Sequence, residues 1–289
     1  MMNRRTFCIK SVQASAALAG TALAAKSGGK LGQARLGRSG VMVPRLAFGT
    51  GTHGSRQSSD QTRIGLDRFL ELAECACDEG ATFFDTADLY GTHTFVREAL
   101  KMIPRDRVVI MSKIWTRPSD WTELTDAASI LDRFRSEIGT EVIDILLFHC
   151  QTRYTWPKEL KAMRDDLLEA KSRGIVRALG VSCHSLGALE TAAADDWVDV
   201  ILARINPAGS HMDDTPEKVL PVLKKARERG AGVIGMKIYG CGDLVDEENR
   251  EKSLNWVWKS GMVDTMTIGF TEPEQITDAA KRIRRILAL

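Results

Sequence analysis

Ile143-Asp144-Ile145-Leu146-Leu147-Phe148-His149 is a short, nearly unbroken apolar run that closes on a histidine. Apolar side chains pointing both ways from an extended segment fit a strand covered on both faces, as in a parallel sheet layered with helices. Seven other runs share this character: Arg45–Gly51, Thr82–Asp85, Val108–Lys113, Arg177–Ser182, Val200–Asn206, Gly232–Ile238 and Thr265–Gly269. Stretches with helical spacing separate them. One covers about Asp60 to Glu79, and others begin near Thr94, Asp120, Lys158, Ser185, Thr215, Glu247 and Pro273. Thr215-Pro216 offers an N-cap followed by a proline at the first helical position. Gly80, Gly139, Gly174 and Gly230 stand where helices should end and the chain turn back. Eight strand and helix units predict an α/β fold, a (β/α)8 TIM barrel in a single domain, for which about 250 residues is typical. The competing architecture is a doubly wound open sheet. Its phosphate fingerprint is not met, because Gly49-Thr50-Gly51-Thr52-His53-Gly54 approaches Gly-x-Gly-x-x-Gly with no helix opening behind it.

The first 25 residues read differently. Asn3-Arg4-Arg5-Thr6-Phe7-Cys8-Ile9-Lys10, the Ala-rich stretch to Ala25 and the small residues around Ala22-Leu23-Ala24 resemble a twin-arginine export signal. The expected division is therefore a removed signal over residues 1–25, a flexible Gly-containing leader over 26–34 and the barrel over 35–289. The expected location is the periplasm or outside the cell, with the export machinery as a partner; a basic arm on a cytoplasmic protein is the alternative. The apolar stretch is too short for a stable membrane span. The full chain carries a net charge of +2, and the signal holds three basic residues and no acid, so its loss leaves −1. No basic footprint for nucleic acid remains. Cys8 is one of six cysteines, and the remaining odd number, without any Cys-x-x-Cys, suggests neither a disulfide framework nor a metal site. His53, His93, His184 and His211 are scattered, and none is assigned to a metal.

In a barrel of this kind chemistry gathers at the C-terminal ends of the strands. Asp85 closes the second run, Lys113 the third and His149 the fourth, while Tyr90 follows five residues after Asp85. Neighbouring strands lie about 4.8 Å apart, so the four polar groups should converge on one rim. Taken singly, each is as well explained by a solvated rim position, a helix cap or loop packing. Together they suit proton transfer: an ammonium lowers a phenol's pKa, a carboxylate holds that ammonium in place, and a neutral imidazole orients a carbonyl oxygen. Such a site needs a hydride donor that no side chain provides.

At Asp85-Thr86-Ala87-x-x-Tyr90-Gly91, Lys113, His149 after Ile-Leu-Leu-Phe, Gly180-Val181-Ser182, Leu36-Gly37-Arg38-Ser39-Gly40 and Phe48-Gly49-Thr50-Gly51, the chain resembles the aldo-keto reductase superfamily over about residues 35–280. The resemblance implies an NAD(P)(H)-dependent oxidoreductase that interconverts a carbonyl (aldehyde, ketone or sugar-like) and an alcohol. Asp85, Tyr90, Lys113 and His149 then form a catalytic tetrad with Tyr90 as general acid–base. It implies cofactor contacts at Ser182, Cys183, Met236, Lys237, Gly269, Thr271 and Gln275, and NADP(H) ahead of NAD(H). Cys183, Leu202 and Met236 replace the Asn, Gln and aromatic residue usual in the superfamily. Those departures keep a second reading open, a non-catalytic barrel that binds or senses a small molecule or nucleotide. Trp115, Trp121, Tyr154 and Trp156 either line an apolar pocket or cover the barrel top.

Overall fold

The computed structural model describes residues 30–288, so the signal-like segment lies outside the described residues. The strands are β1 (Gln33–Arg35), β2 (Met42–Pro44), β3 (Leu46–Gly49), β4 (Phe83–Asp85), β5 (Val109–Trp115), β6 (Ile143–Gln151), β7 (Val176–Cys183), β8 (Val200–Arg204), β9 (Gly232–Met236) and β10 (Thr265–Gly269). The helices are α1 (Asp60–Arg63), α2 (Leu66–Glu79), α3 (His93–Ala99), α4 (Ala127–Ile138), α5 (Trp156–Glu159), α6 (Lys161–Ser172), α7 (Leu186–Ala194), α8 (Pro216–Glu228), α9 (Glu247–Lys259) and α10 (Pro273–Leu287). Strands β3 to β10 are parallel, pair in chain order, and close where β10 meets β3, giving the expected eight-stranded barrel.

Strand alternation sorts the apolar residues into two layers. Ala47, Phe83, Met111, Ile145, Leu147, Ala178, Val200, Leu202 and Ile234 fill the barrel interior. Their neighbours, such as Phe48, Ile110, Leu146 and Val181, pack under the helices with Leu72, Phe134 and Leu189. Gly80, Gly139, Gly174 and Gly230 all have positive φ, the conformation in which a chain leaves a helix with least strain on glycine.

Three features depart from the sequence reading. Part of the segment read as leader is ordered: Leu31 is fully buried, and β1 pairs with β2 in an antiparallel hairpin. Ala34, Leu36, Val41 and Val43 of that hairpin join the interior layer. They close the barrel at its N-terminal end, where Arg38 N donates to Gly230 O at 2.7 Å and Thr265 Oγ1 to Pro44 O at 2.6 Å. The helix expected near Asp120 starts at Ala127, because Asp126 is the cap that accepts from Ser129 N. The stretch Asp60 to Glu79 is two helices, broken at Gly65 with φ 86°. Among the described residues no helix is long and apolar enough to cross a membrane.

Candidate active site

The ends of β4, β5 and β6 bring the four expected side chains together. Registers Asp85↔Met111 and Lys113↔Leu147 keep adjacent strands in step. Lys113 is fully buried, Asp85 and His149 nearly so. The Lys113 ammonium forms an ion pair with Asp85 and donates to Thr86 O at 2.9 Å and to the Tyr90 hydroxyl at 3.3 Å. On its other side the Tyr90 hydroxyl lies 3.4 Å from His149 Nε2. Asp85 is held in turn, since its second oxygen accepts from Thr267 Oγ1 at 2.7 Å across the barrel seam.

Tyr90 is clamped by glycines. A Cβ on Gly51 would fall 2.3 Å from the Tyr90 ring, and one on Gly54 2.6 Å from it. The near-fingerprint Gly49-Thr50-Gly51-Thr52-His53-Gly54 is thus a loop laid flat against the phenol. Gly91, at φ 69°, turns the chain behind Tyr90 where a Cβ would meet Gln57 O at 2.0 Å. His149 owes its aim to a bulge: the β6–β7 register slips between Phe148 and Gln151, and Cys150 takes φ 54°. The Cys150 thiol then meets His184 Nε2 at 3.4 Å.

Charge at the site follows from burial. Desolvation pulls the His149 imidazole well below its usual range, and the Lys113 charge adds to this, so the ring is neutral as expected. Burial also lowers Lys113, against the opposing pull of Asp85. Tyr90 departs from the expectation. Burial, then the Asp85 carboxylate, raises its phenol well above the ordinary value. Desolvation, the largest cause, outweighs the pull of the Lys113 ammonium, which is itself paired with Asp85. Tyr90 therefore holds its proton at neutral pH, the form from which it can donate.

The expected cofactor residues divide. Ser182 is fully buried with its Oγ unpartnered, and it alternates with outward-facing Val181. Met236 packs half-buried on the interior layer and Lys237 follows it at φ 60°. Ser182 and Met236 fit the nicotinamide end of a dinucleotide, with Ser182 as hydrogen-bonding partner and Met236 as a soft apolar surface, and Lys237 beside them suits the pyrophosphate. Cys183 does not: it is fully buried in the helix-side layer, where alternation aims it away from the interior. Gly269 has a structural task, since a Cβ there would lie 1.9 Å from Thr52 Oγ1. The Gln275 carboxamide oxygen accepts from Thr271 N at 2.9 Å and Glu272 N at 3.3 Å, capping its own helix. Gln275 and Thr271 are occupied with each other, and the adenosine end carries no comparable mark. Of the aromatic residues, Trp115 stands edge-on to His149, with ring centres 5.8 Å apart, and Trp121 lies 5.7 Å from it. Trp156 is fully buried under the helices and Tyr154 is exposed.

Residues that the sequence reading passed over support this site. Thr267 steadies Asp85, and Asp88, in the turn with Tyr90, is gripped by Arg133 at 2.9 Å. Arg204 pairs with Asp213 at the end of β8.

A model of the Aldo/keto reductase family matches residues 45–285. A D-threo-aldose 1-dehydrogenase of a Pseudomonas species is 25% identical over 240 residues, covering 72% of this chain and 70% of that protein. A 6-dehydroglucose reductase of Novosphingobium aromaticivorans is 29% identical over 161 residues, about half of each chain. An aldo-keto reductase of Bacillus halodurans, solved in its holo form, superposes with a TM-score of 0.71 at 18% identity, covering 87% of this chain and 90% of that one. With its family match spanning the whole barrel and the Asp85, Tyr90, Lys113 and His149 side chains assembled at one rim, the chain belongs to the aldo/keto reductase family.

Proposed function

We propose that this oxidoreductase interconverts a carbonyl and an alcohol with Tyr90 as the group that moves the proton. The observation that carries the reading is the Tyr90 hydroxyl, set 3.3 Å from Lys113 Nζ and 3.4 Å from His149 Nε2. A nicotinamide nucleotide, when bound, supplies the hydride. The chain's own residues do the rest. His149, neutral, lies beside the phenol where a carbonyl oxygen would need orienting. Tyr90 delivers its proton to that oxygen as negative charge develops there, and Lys113 steadies the phenolate left behind. Asp85 keeps the ammonium in place through this cycle. Ser182 and Met236 would hold the nicotinamide end. We read NADP(H) as the first choice and NAD(H) as the second, on family membership.

Tyr90→Phe tests the reading, because it removes one oxygen and leaves the ring that Gly51 and Gly54 enclose. Turnover of an aldehyde with NADPH or NADH should fall at least about a hundredfold, the usual scale of a general acid, while nucleotide binding persists. Wild-type protein that binds nucleotide and reduces no carbonyl would favour the binding or sensing reading. We also propose export, on the Arg4-Arg5 segment; exchanging both for Lys should hold the protein in the cytoplasm, and unchanged export would overturn the reading.

A further inference from the structure

The mouth of the barrel carries more positive charge than the tetrad uses. Arg117 follows β5, and Lys237 follows β9, four strands away around a ring of eight. Four aspartates near this rim are already paired: Asp85 with Lys113, Asp213 with Arg204, Asp88 with Arg133 and Asp120 with Arg56. Arg117 and Lys237 have no carboxylate partner among the described residues. Arg117 is nevertheless held in place. Its guanidinium lies 4.3 Å over the Trp115 ring and donates to Cys150 O at 3.3 Å. Trp115 abuts His149, and His149 abuts Tyr90 with ring centres 5.4 Å apart. A ladder of contacts thus links the free guanidinium to the proton-moving hydroxyl. The indole N–H of Trp115 is buried and has no acceptor. Cys150 and Lys237 both take left-handed backbone conformations, which non-glycine residues adopt at a cost and which cluster at functional sites.

Burial and the nearby cations act together on the imidazoles here. His184 is lowered to about 3, first by burial and then by Arg204, Lys237, Arg117 and Lys113. His149 feels Arg117 as well. Neutral imidazoles and a thiol leave the charge of this mouth uncompensated, which suits an anionic ligand.

We propose that Arg117 forms an anion subsite beside the tetrad that selects carbonyl substrates bearing a carboxylate. The planar guanidinium presents paired donors to a carboxylate, and its stacking on Trp115 removes part of the entropy cost of capture. This rests on the oxidoreductase reading for its substrate, though the subsite can be tested without turnover.

The test compares 4-formylbenzoate and 4-oxobutanoate with their methyl esters, by steady-state rates with NADPH or NADH and by calorimetric titration without nucleotide. The expected result is kcat/KM at least tenfold higher for each acid than for its ester, a gap that narrows as salt rises. Arg117→Gln should reduce that acid-to-ester ratio tenfold, and Arg117→Lys should restore part of it. Equal use of acid and ester by the wild type, or a ratio unchanged in Arg117→Gln, overturns the subsite. So does an Arg117→Gln protein that instead weakens nucleotide binding and leaves the ratio alone, since the anion would then be the nucleotide's diphosphate. If no carbonyl is turned over, titration decides: acid binding at least tenfold tighter than ester, and lost in Arg117→Gln, keeps the subsite and removes the redox reading. Equal or absent binding of both removes the subsite.

Discussion

Arg133, on α4, holds Asp88 through both terminal nitrogens, at 3.0 and 2.9 Å, and Asp88 begins the turn that ends on Tyr90. The network continues: Arg133 reaches Glu137 at 2.9 Å, Glu137 meets His93 Nδ1 at 2.7 Å, and His93 Nε2 meets Ser112 Oγ at 2.8 Å. Ser112 precedes Lys113, so one chain of polar contacts joins the turn bearing the phenol to the strand bearing the ammonium. Arg133→Met would leave a buried carboxylate unpaired. Because Arg133 is about one-third exposed, the loss should be roughly 2–3 kcal/mol, below the full cost of breaking a buried pair. A lower urea midpoint, partly recovered in Arg133→Lys, is the expected outcome; an unchanged midpoint would assign Asp88 a different partner.

Gly51→Ala should damage activity more than stability. Its methyl group would press on the Tyr90 ring from 2.3 Å, and displacing a proton donor by about 1 Å commonly costs a hundredfold in rate. The check is kcat beside a thermal melt. A protein with normal turnover would mean that the phenol has room to shift without consequence.

Lys113 and Asp85 form a fully enclosed ion pair. Lys113→Met alone should destabilise by about 3–5 kcal/mol, because the carboxylate is left buried and uncompensated. Adding Asp85→Asn should return much of that stability, giving a strong coupling term in a double-mutant cycle. Activity should stay lost in the double variant. Additive stability changes would contradict the pairing.

Two imidazoles at the mouth, His149 buried and His184 half-buried, make stability depend on pH. His184 and His149 are lowered in the folded state, His184 to about 3, mainly by burial. Below an unfolded histidine value near 6.5 the unfolded chain binds protons that the folded chain refuses, so stability falls as pH falls. The window runs from about pH 6.5 down toward 3, with a slope on the order of 1 kcal/mol per pH unit for each ring. Urea midpoints at several pH values should show a shallower decline in His184→Gln than in the wild type. Parallel slopes would mean that His184 charges freely when folded.

The barrel was legible because parallel strands buried on both faces write their burial as continuous apolar runs, as at Ile143–Gln151 and Val176–Cys183. The tetrad was legible because strand ends fix where side chains emerge, whatever the loops do. The N-terminal hairpin escaped because β1 and β2 are three residues each, too short for a period to appear. The shift of the Tyr90 phenol escaped for another reason: a neighbouring lysine predicts a lowered value, and the burial that overrides it is a fact of three dimensions. Cys183 and Gln275 were placed at the cofactor by alignment of motif positions. Alternation turns the first to the helix side, and its own helix cap claims the second.

The hairpin that stoppers the barrel has a practical corollary. Residue 31 tucks in beside Gly80, at the foot of the strands, the end of the barrel opposite the strand tips that carry the phenol. A bead or dye fixed at residue 30 itself would sit at that foot and leave the approach to the reacting end unobstructed.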